Sequence, residues 1–222
     1  VTETLRVCEL FYSIQGESTR AGLPCLFIRL AGCNLRCSYC DASYTWQEEG
    51  HLMQVAELLA WVDATPGVMV EVTGGEPMSQ PGTVPLMRSL LAAGRSVLLE
   101  TNGSLCLEKV PDGVGIIMDV KCPGSGMAAS GLAENIGVLQ QRQLRGCRDE
   151  VKFVLSSADD FHWARTYVET HRLPSFLPVL FSPVQSQFPP AALAELLLAS
   201  RLNVRLQVQL HTLLWPGLTR GV

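Results

Sequence analysis

The sequence predicts an α/β fold: an incomplete (β/α) barrel of six to seven mainly parallel strands, read as one domain over residues 1–222. Three observations carry this. Short apolar, β-branched runs alternate with amphipathic stretches, the pattern of parallel strands joined by crossover helices. Polar motifs gather just after the strand candidates, where α/β barrels and open α/β sheets carry their chemistry. At 222 residues the chain falls short of the ~250 of a complete eight-fold barrel, so a barrel open on one side is expected.

The strand candidates are Cys25–Leu30, Val68–Thr73, Ser96–Glu100, Gly115–Val120, Val151–Leu155, Phe176–Phe181 and Val204–Leu210. Each is a short apolar or alternating run bounded by polar residues, glycine or proline. Helical periodicity marks Met53–Asp63, Val84–Ala93, Phe161–Thr170 and Ala191–Arg201. A cysteine cluster follows the first strand. Gly74–Pro77 follows the second, Glu100–Gly103 ends the third and Asp119–Pro123 the fourth; Ser182-Pro183 and His211 close later ones. No repeat, low-complexity tract or Gly/Ser-rich linker divides the chain.

Composition excludes several classes. Hydrophobic residues are 47% and the net charge is only −4, which excludes an intrinsically disordered chain. No apolar run approaches the ~18 residues of a membrane span, and Val1–Val7 alternates charged and apolar residues without a signal-peptide core. Mild acidity argues against direct nucleic-acid binding, which needs a basic face. Eight cysteines in a chain long enough to build its own core point to a reducing cytoplasm and a metal site.

Cys33-Asn-Leu-Arg-Cys37-Ser-Tyr-Cys40 is the strongest signal. Three thiolates in one compact loop suit a soft metal. Structural zinc wants four ligands, usually in two separated pairs. No second cysteine pair follows, and the histidines at 51, 162, 171 and 211 are dispersed. Three cysteines without a fourth fit better a [4Fe–4S] cluster with one iron open to a small molecule; a zinc knuckle closed by a distant ligand is the other reading.

With Tyr39 before the last cysteine, this motif resembles the radical S-adenosylmethionine (SAM) superfamily, and Gly74-Gly75-Glu76-Pro77 resembles that superfamily's methionine-binding turn. The barrel would then be of the radical SAM type. Glu9–Glu17, Gly22–Asn34, Cys40–Trp46, Thr73–Pro77, Glu100–Gly103, Asp119–Gly126 and the tail from Gln207 to Val222 narrow the resemblance to the 7-carboxy-7-deazaguanine synthases. It implies a lyase that contracts the ring of 6-carboxy-5,6,7,8-tetrahydropterin to 7-carboxy-7-deazaguanine with loss of ammonia, on the route to queuosine and other 7-deazapurines. It also implies a [4Fe–4S] cluster, SAM used catalytically, Mg2+ on the substrate carboxylate, a flavodoxin or ferredoxin reductant, and a homodimer.

The resemblance assigns residues. Cys33, Cys37 and Cys40 would hold the cluster. Tyr39, Cys40, Asp41, Gly74, Gly75, Glu76, Lys121, Cys122, Pro123 and Ser125 fall in the SAM-contacting segments. Ile14, Gln15, Gly16, Glu17, Arg29, Thr73, His211 and Val222 fall in the substrate-contacting ones. Strand alternation independently turns Arg29 inward while Ile28 packs outward, and a guanidinium fork suits a carboxylate. Cys122 has a second reading as an inert buried thiol, and Glu100 and Asn102 as turn or cap residues. One departure stands out. Where the family usually places Thr or Ser after Asp41, this chain has Ala42, which cannot ligate a hard cation; magnesium would then bind through Ser43, Thr45, waters and the substrate carboxylate, and weaker magnesium dependence is expected. Two rival functions remain: an activase that installs a glycyl radical on a partner protein, and a non-catalytic zinc module.

Overall fold

The computed structural model describes residues 3–222; Val1 and Thr2, the start of the alternating N-terminal stretch, lie outside the described residues. In chain order the elements are β1 (Thr4–Ile14), β2 (Pro24–Leu30), α1 (Tyr44–Gln47), β3 (His51–Gln54), α2 (Val55–Asp63), β4 (Met69–Gly74), α3 (Thr83–Ala92), β5 (Val97–Thr101), β6 (Val114–Asp119), α4 (Glu134–Leu144), β7 (Glu150–Leu155), α5 (Ala158–His171), β8 (Val179–Pro183), α6 (Pro190–Ser200), β9 (Arg205–Leu206) and α7 (Leu210–Leu214). They build one sheet in the order β3-β1-β2-β4-β5-β6-β7-β8-β9. The run from β2 to β9 is parallel throughout, while β1 pairs antiparallel with β2 and with β3. Seven parallel strands thus form the partial barrel expected of the sequence.

The two faces of the sheet differ in chemistry, and the side-chain period of two separates them. Ile28, Leu30, Val70, Val72, Leu99 and Ile116 belong to the main core, packed with α2 and α3 through Leu58, Val62, Leu86 and Leu90. The alternate positions face inward. A small apolar plug of Phe11, Cys25, Phe27, Met69, Leu98 and Ile117 fills the lower interior; Phe11 and Phe27 stack there with centroids 4.7 Å apart. Above it the same inward rows become polar: Arg29, Glu71, Thr73, Glu100, Asp119 and Lys152.

β1 is the longest strand, and its sequence pattern hides it. A register shift between Val7 and Glu9 marks a bulge at Cys8. Before it, Leu5 and Val7 join the main core; after it, Leu10 does, and Glu9 and Phe11 turn inward. A bulge reverses the parity of alternation, so no single period-2 pattern spans the strand. α4 is hidden for another reason: two of its four buried residues, Asn135 and Arg142, are polar. Arg142 donates from Nε to Asp149 Oδ2 at 2.8 Å and from its terminal nitrogens to the carbonyls of Val110 (2.7 Å) and Val114 (2.6 Å).

Two expected strands are shorter than their patterns. Phe176 and Leu177 fold back onto Leu173 O at 3.1 and 3.2 Å, closing a one-turn helix, so β8 begins only at Val179. Val204–Leu210 keeps two ladder residues as β9, then turns into α7, which carries His211. The Gln207 side chain leaves the strand to exchange hydrogen bonds with Ser18 (2.7 and 2.9 Å), while Thr19 and Arg20 reach Glu150 on β7. The β1–β2 loop is thereby tied across the opening of the barrel.

Replacing Arg142 with Met leaves Asp149 buried without its counter-ion, held only by the Ile116 backbone N–H at 2.9 Å. We expect a loss of about 3–5 kcal/mol, read as a large fall in the midpoint of denaturant unfolding.

Candidate active site

The inward polar rows and the loops above them enclose a cavity of about 630 Å3, within the range of small-molecule sites. Cys33, Cys37 and Cys40 line it on one side. They stand in the loop that leaves β2, pinned by its neighbours: Ser38 N donates to Ser125 O (3.0 Å), Ser38 Oγ to Gly124 O (2.7 Å) and Tyr39 OH to Val154 O (2.9 Å). Asn102 Nδ2 lies 3.9 Å from Cys33 Sγ and 3.1 Å from Asn34 Oδ1, so the end of β5 also holds this loop. Burial pushes the Cys37 and Cys40 thiols up, and each feels Cys33 as a further raising charge; the nearby Lys121 ammonium acts the other way on both.

Gly74 and Gly75 explain themselves by what a side chain would hit. A Cβ on Gly74 would lie 2.2 Å from Leu30 O, and its φ is +137°; one on Gly75 would lie 2.0 Å from Gly32 O. The turn is pressed against the backbone that launches the cysteine loop, with Gly75 N donating to Leu30 O (3.1 Å) and Glu76 N to Gly32 O (2.8 Å). Glu76 is fully buried and does not line the cavity. Its carboxylate accepts from Met78 N (2.9 Å), Thr101 Oγ1 (2.8 Å) and Asn102 N (2.8 Å), which locks this turn to the end of β5.

On the opposite side, Arg29 and Glu9 are cross-strand partners, Nε to Oε1 at 2.7 Å. Glu9 also accepts from Tyr44 OH (2.6 Å) and Gly221 N (3.2 Å). The Arg29 guanidinium lies 5.3 Å over the Phe11 ring, and the residue lines the cavity. The tail comes back over this corner: Arg220 stacks 4.2 Å over Tyr44 and pairs with Glu48, and Val222 lines the cavity.

The floor is a buried charge cluster. Lys152 Nζ donates to Glu17 Oε2 at 2.5 Å and to Glu100 Oε1, with Asp119 Oδ2 at 4.0 Å. Thr73 Oγ1 donates to Glu100 Oε2 (3.0 Å), Gln209 Nε2 to Glu17 Oε1 (2.9 Å), and Gln15 Nε2 to Glu71 Oε2. Burial disfavours the Glu100 carboxylate, but the charge and hydrogen bond of Lys152 outweigh it and hold its pKa down to about 2. Burial, with the Glu100 and Glu17 charges, pushes Glu71 well above the usual carboxylate range. Lys121 donates to Asp119 Oδ2 at 2.8 Å, and Asp119 Oδ1 is buried without a protein partner. His211 stands against Gly16, whose Cβ would come within 3.4 Å of its Nδ1.

Of the residues singled out from sequence, Ile14, Gly16, Glu17, Arg29, Cys33, Cys37, Tyr39, Cys40, Asp41, Thr73, Gly74, Gly75, Lys121, His211 and Val222 line this one cavity. Gln15, Glu76, Cys122, Pro123, Ser125 and Ser43 do not. Gln15 sits beneath the floor on Glu71, and Ser125 and the buried Cys122 belong to the turn under the cysteine loop. Sequence reading missed Lys152, Glu71 and Asp119 as members of the floor. A lysine and a glutamate inside fully buried strands, Lys152 in β7 and Glu71 in β4, are the signal that could have found them.

The donor set fits a [4Fe–4S] cluster: three half-buried thiols in one braced loop, open to the same cavity, beside a lysine that favours thiolates. Among the described residues no three His, Cys, Asp or Glu side chains converge on a single-ion position; a cluster takes each thiolate on its own iron. Magnesium does not fit in the same way. Ala42 and Thr45 line the cavity but Ser43 does not, and the Thr45 hydroxyl donates to Ala42 O at 2.7 Å. Among the described residues no group of side chains assembles a hard-cation seat, so the expectation that Ser43 replaces the missing hydroxyl finds no support in its position.

A parallel partial barrel with a three-cysteine loop at the strand ends defines a radical SAM protein, and the family model described as the radical SAM superfamily matches residues 27–113. The 7-carboxy-7-deazaguanine synthase of Chlorobaculum tepidum is 42% identical over 218 residues, covering 98% of this chain and 97% of that one. The same enzyme of Koribacter versatilis is 40% identical, covering 98% and 100%. The crystal structure of QueE from Escherichia coli superposes with a TM-score of 0.73 at 23% identity, over 93% of this chain and 94% of that one, which is a likeness of fold. The chain belongs to the 7-carboxy-7-deazaguanine synthase family.

Two outcomes follow from this geometry. Gly75→Ala drives a methyl into Gly32 O, and we expect reconstituted protein to retain less than a third of the wild-type iron; Gly137→Ala, whose Cβ meets nothing within 4 Å, retains all of it. Glu100 stabilises the fold above its ordinary pKa of 4.5, and that contribution disappears as pH falls from there towards about 2. Glu100→Gln is therefore less stable than wild type at pH 7, and urea unfolding shows the gap narrowing as pH falls through that window.

Proposed function

We propose that this chain converts 6-carboxy-5,6,7,8-tetrahydropterin to 7-carboxy-7-deazaguanine with loss of ammonia, in the biosynthesis of queuosine and related 7-deazapurines. One observation carries the reading: the three cysteines, Arg29 and the charged floor of Glu17, Glu100 and Lys152 line a single cavity. Cys33, Cys37 and Cys40 would hold a [4Fe–4S] cluster that, with bound SAM, supplies a 5′-deoxyadenosyl radical for hydrogen abstraction and recovers SAM after turnover.

The chain's own residues then have distinct tasks. The Gly74-Gly75 backbone, Tyr39, Asp41 and Lys121 flank the cysteines and would orient SAM. Arg29 spends only Nε on Glu9, which leaves its terminal nitrogens for the substrate carboxylate. Glu17 and Glu100 would accept from the amino and ring N–H donors of the pterin, with Thr73 and His211 beside them. Burial of the floor keeps water from a reactive radical. The same reading makes the chain a one-domain cytoplasmic enzyme. It takes its electron from flavodoxin or ferredoxin, works as a homodimer and meets no nucleic acid directly. Among the described residues no helix is long and apolar enough to cross a membrane.

Anaerobic reconstitution with iron and sulfide, then SAM, dithionite and the carboxytetrahydropterin, tests this. We expect 7-carboxy-7-deazaguanine by mass spectrometry without stoichiometric loss of SAM. SAM cleavage with no pterin product would instead favour an activase acting on a partner protein. Added Mg2+ should stimulate wild type less than Ala42→Thr; equal stimulation would overturn the weak-magnesium expectation.

A further inference from the structure

Lys152 is the most buried cation of the cavity, with its side chain 4% exposed, and no feature of the sequence motifs assigns it a task. It lies on β7, in neither the cysteine loop nor the Gly74-Gly75 turn. Its ammonium bridges two carboxylates from distant parts of the chain, Glu17 in the β1–β2 loop and Glu100 at the end of β5. Each of these is also held at its second oxygen, Glu17 by Gln209 (2.9 Å) and Glu100 by Thr73 (3.0 Å). A carboxylate has about four lone-pair sites, so both keep acceptor capacity towards the cavity they line.

The surroundings show what Lys152 prevents. The floor receives Glu71 from β4, Glu100 from β5, Asp119 from β6 and Glu17 from the loop, with Arg29 from β2, Lys121 after β6 and His211 from α7 around it. β8, the other neighbour of β7, carries no titratable side chain. Burial already pushes Glu71 towards its protonated form; without Lys152, Glu17, Glu100 and Asp119 are left as like charges in a desolvated space, which forces at least one of these three to take a proton as well. A protonated carboxyl turns one acceptor into a donor. A ligand edge made only of N–H donors then meets a donor in place of an acceptor, and such unpaired buried groups are strongly rejected.

Resting on the pterin reading above, we propose that Lys152 is a positioning residue that holds Glu17 and Glu100 as paired acceptors and thereby selects a bicyclic substrate with a 2-amino-4-oxopyrimidine edge. The residue acts through the two carboxylates, and the specificity it sets is for the amino group at C2.

The test uses reconstituted holoenzyme and two stable probes, 6-carboxypterin and 6-carboxylumazine, which differ by amino versus oxo at C2. Binding is measured by fluorescence from pH 6 to 8.5, alongside kcat/KM for the tetrahydropterin. Wild type should prefer the pterin by at least about 30-fold at every pH. Lys152→Met should lose about 100-fold in kcat/KM at pH 6.5 and show a preference under threefold, which recovers as rising pH ionises the carboxylates. Lys152→Arg should restore most of the preference. Glu17→Gln, which leaves the lysine in place, should lose the preference without acquiring pH dependence. A pH-independent wild-type preference in Lys152→Met overturns the inference, as does an unchanged preference in Glu17→Gln if the lysine variant does not fold. Wild type that binds neither probe and makes no product overturns the pterin reading, and the inference falls with it. Wild type that makes product yet binds both probes equally overturns the inference alone.

Discussion

A charged floor inside a barrel survives only if its charges neutralise and hydrogen-bond one another, because a buried unpaired ion costs several kcal/mol. Lys152 satisfies that condition here. It lies between Glu17 and Glu100 and within 4.0 Å of Asp119, so strand, loop and sheet centre meet at one ammonium. The remaining floor groups extend outward from it: Thr73 on Glu100, Gln209 on Glu17, Lys121 on Asp119. Asp119 Oδ1 is the exception, buried without a partner among the described residues, on a side chain that lines the cavity.

The cysteine loop depends on a second constraint of the same kind, one of space instead of charge. It leaves β2 through Leu30–Gly32, and the glycines at 74 and 75 let the next turn lie directly on that backbone. Glu76, buried just behind, fastens the turn to Thr101 and Asn102. The loop that would carry the iron is thus braced from β4, β5 and the Gly124–Ser125 turn, on rigid elements that suit a preorganised site. Arg29 and Glu9 do the same for the opposite wall, where one carboxylate gathers a strand arginine, the Tyr44 hydroxyl and the backbone of the tail.

Much of this was legible in the chain. The parallel strands read as short apolar runs because both faces of each are buried, and Gly-Gly-Glu-Pro and the cysteine triplet are local patterns whose spacing survives without any fold. Glu76 shows the limit of such reading. As part of a motif it is assigned to SAM, yet its carboxylate is turned away from the cavity, into the brace between two strand ends. Only the position of its partners, 25 and 26 residues away, decides that.

The amino-acid sequence by itself determined the α/β class, six to seven mainly parallel strands, the cysteine loop and the inward Arg29, because these follow from period, length and local spacing. Tertiary structure alone decided the rest. β1 was invisible because a bulge at Cys8 reverses its alternation, and α4 because Asn135 and Arg142 occupy core positions that hydrophobic periodicity cannot mark. Lys152 joins two glutamates that lie 52 and 135 positions away in the chain. No window of sequence holds both partners of such a pair, and a lysine becomes a site residue only when the fold has buried its counter-charges beside it.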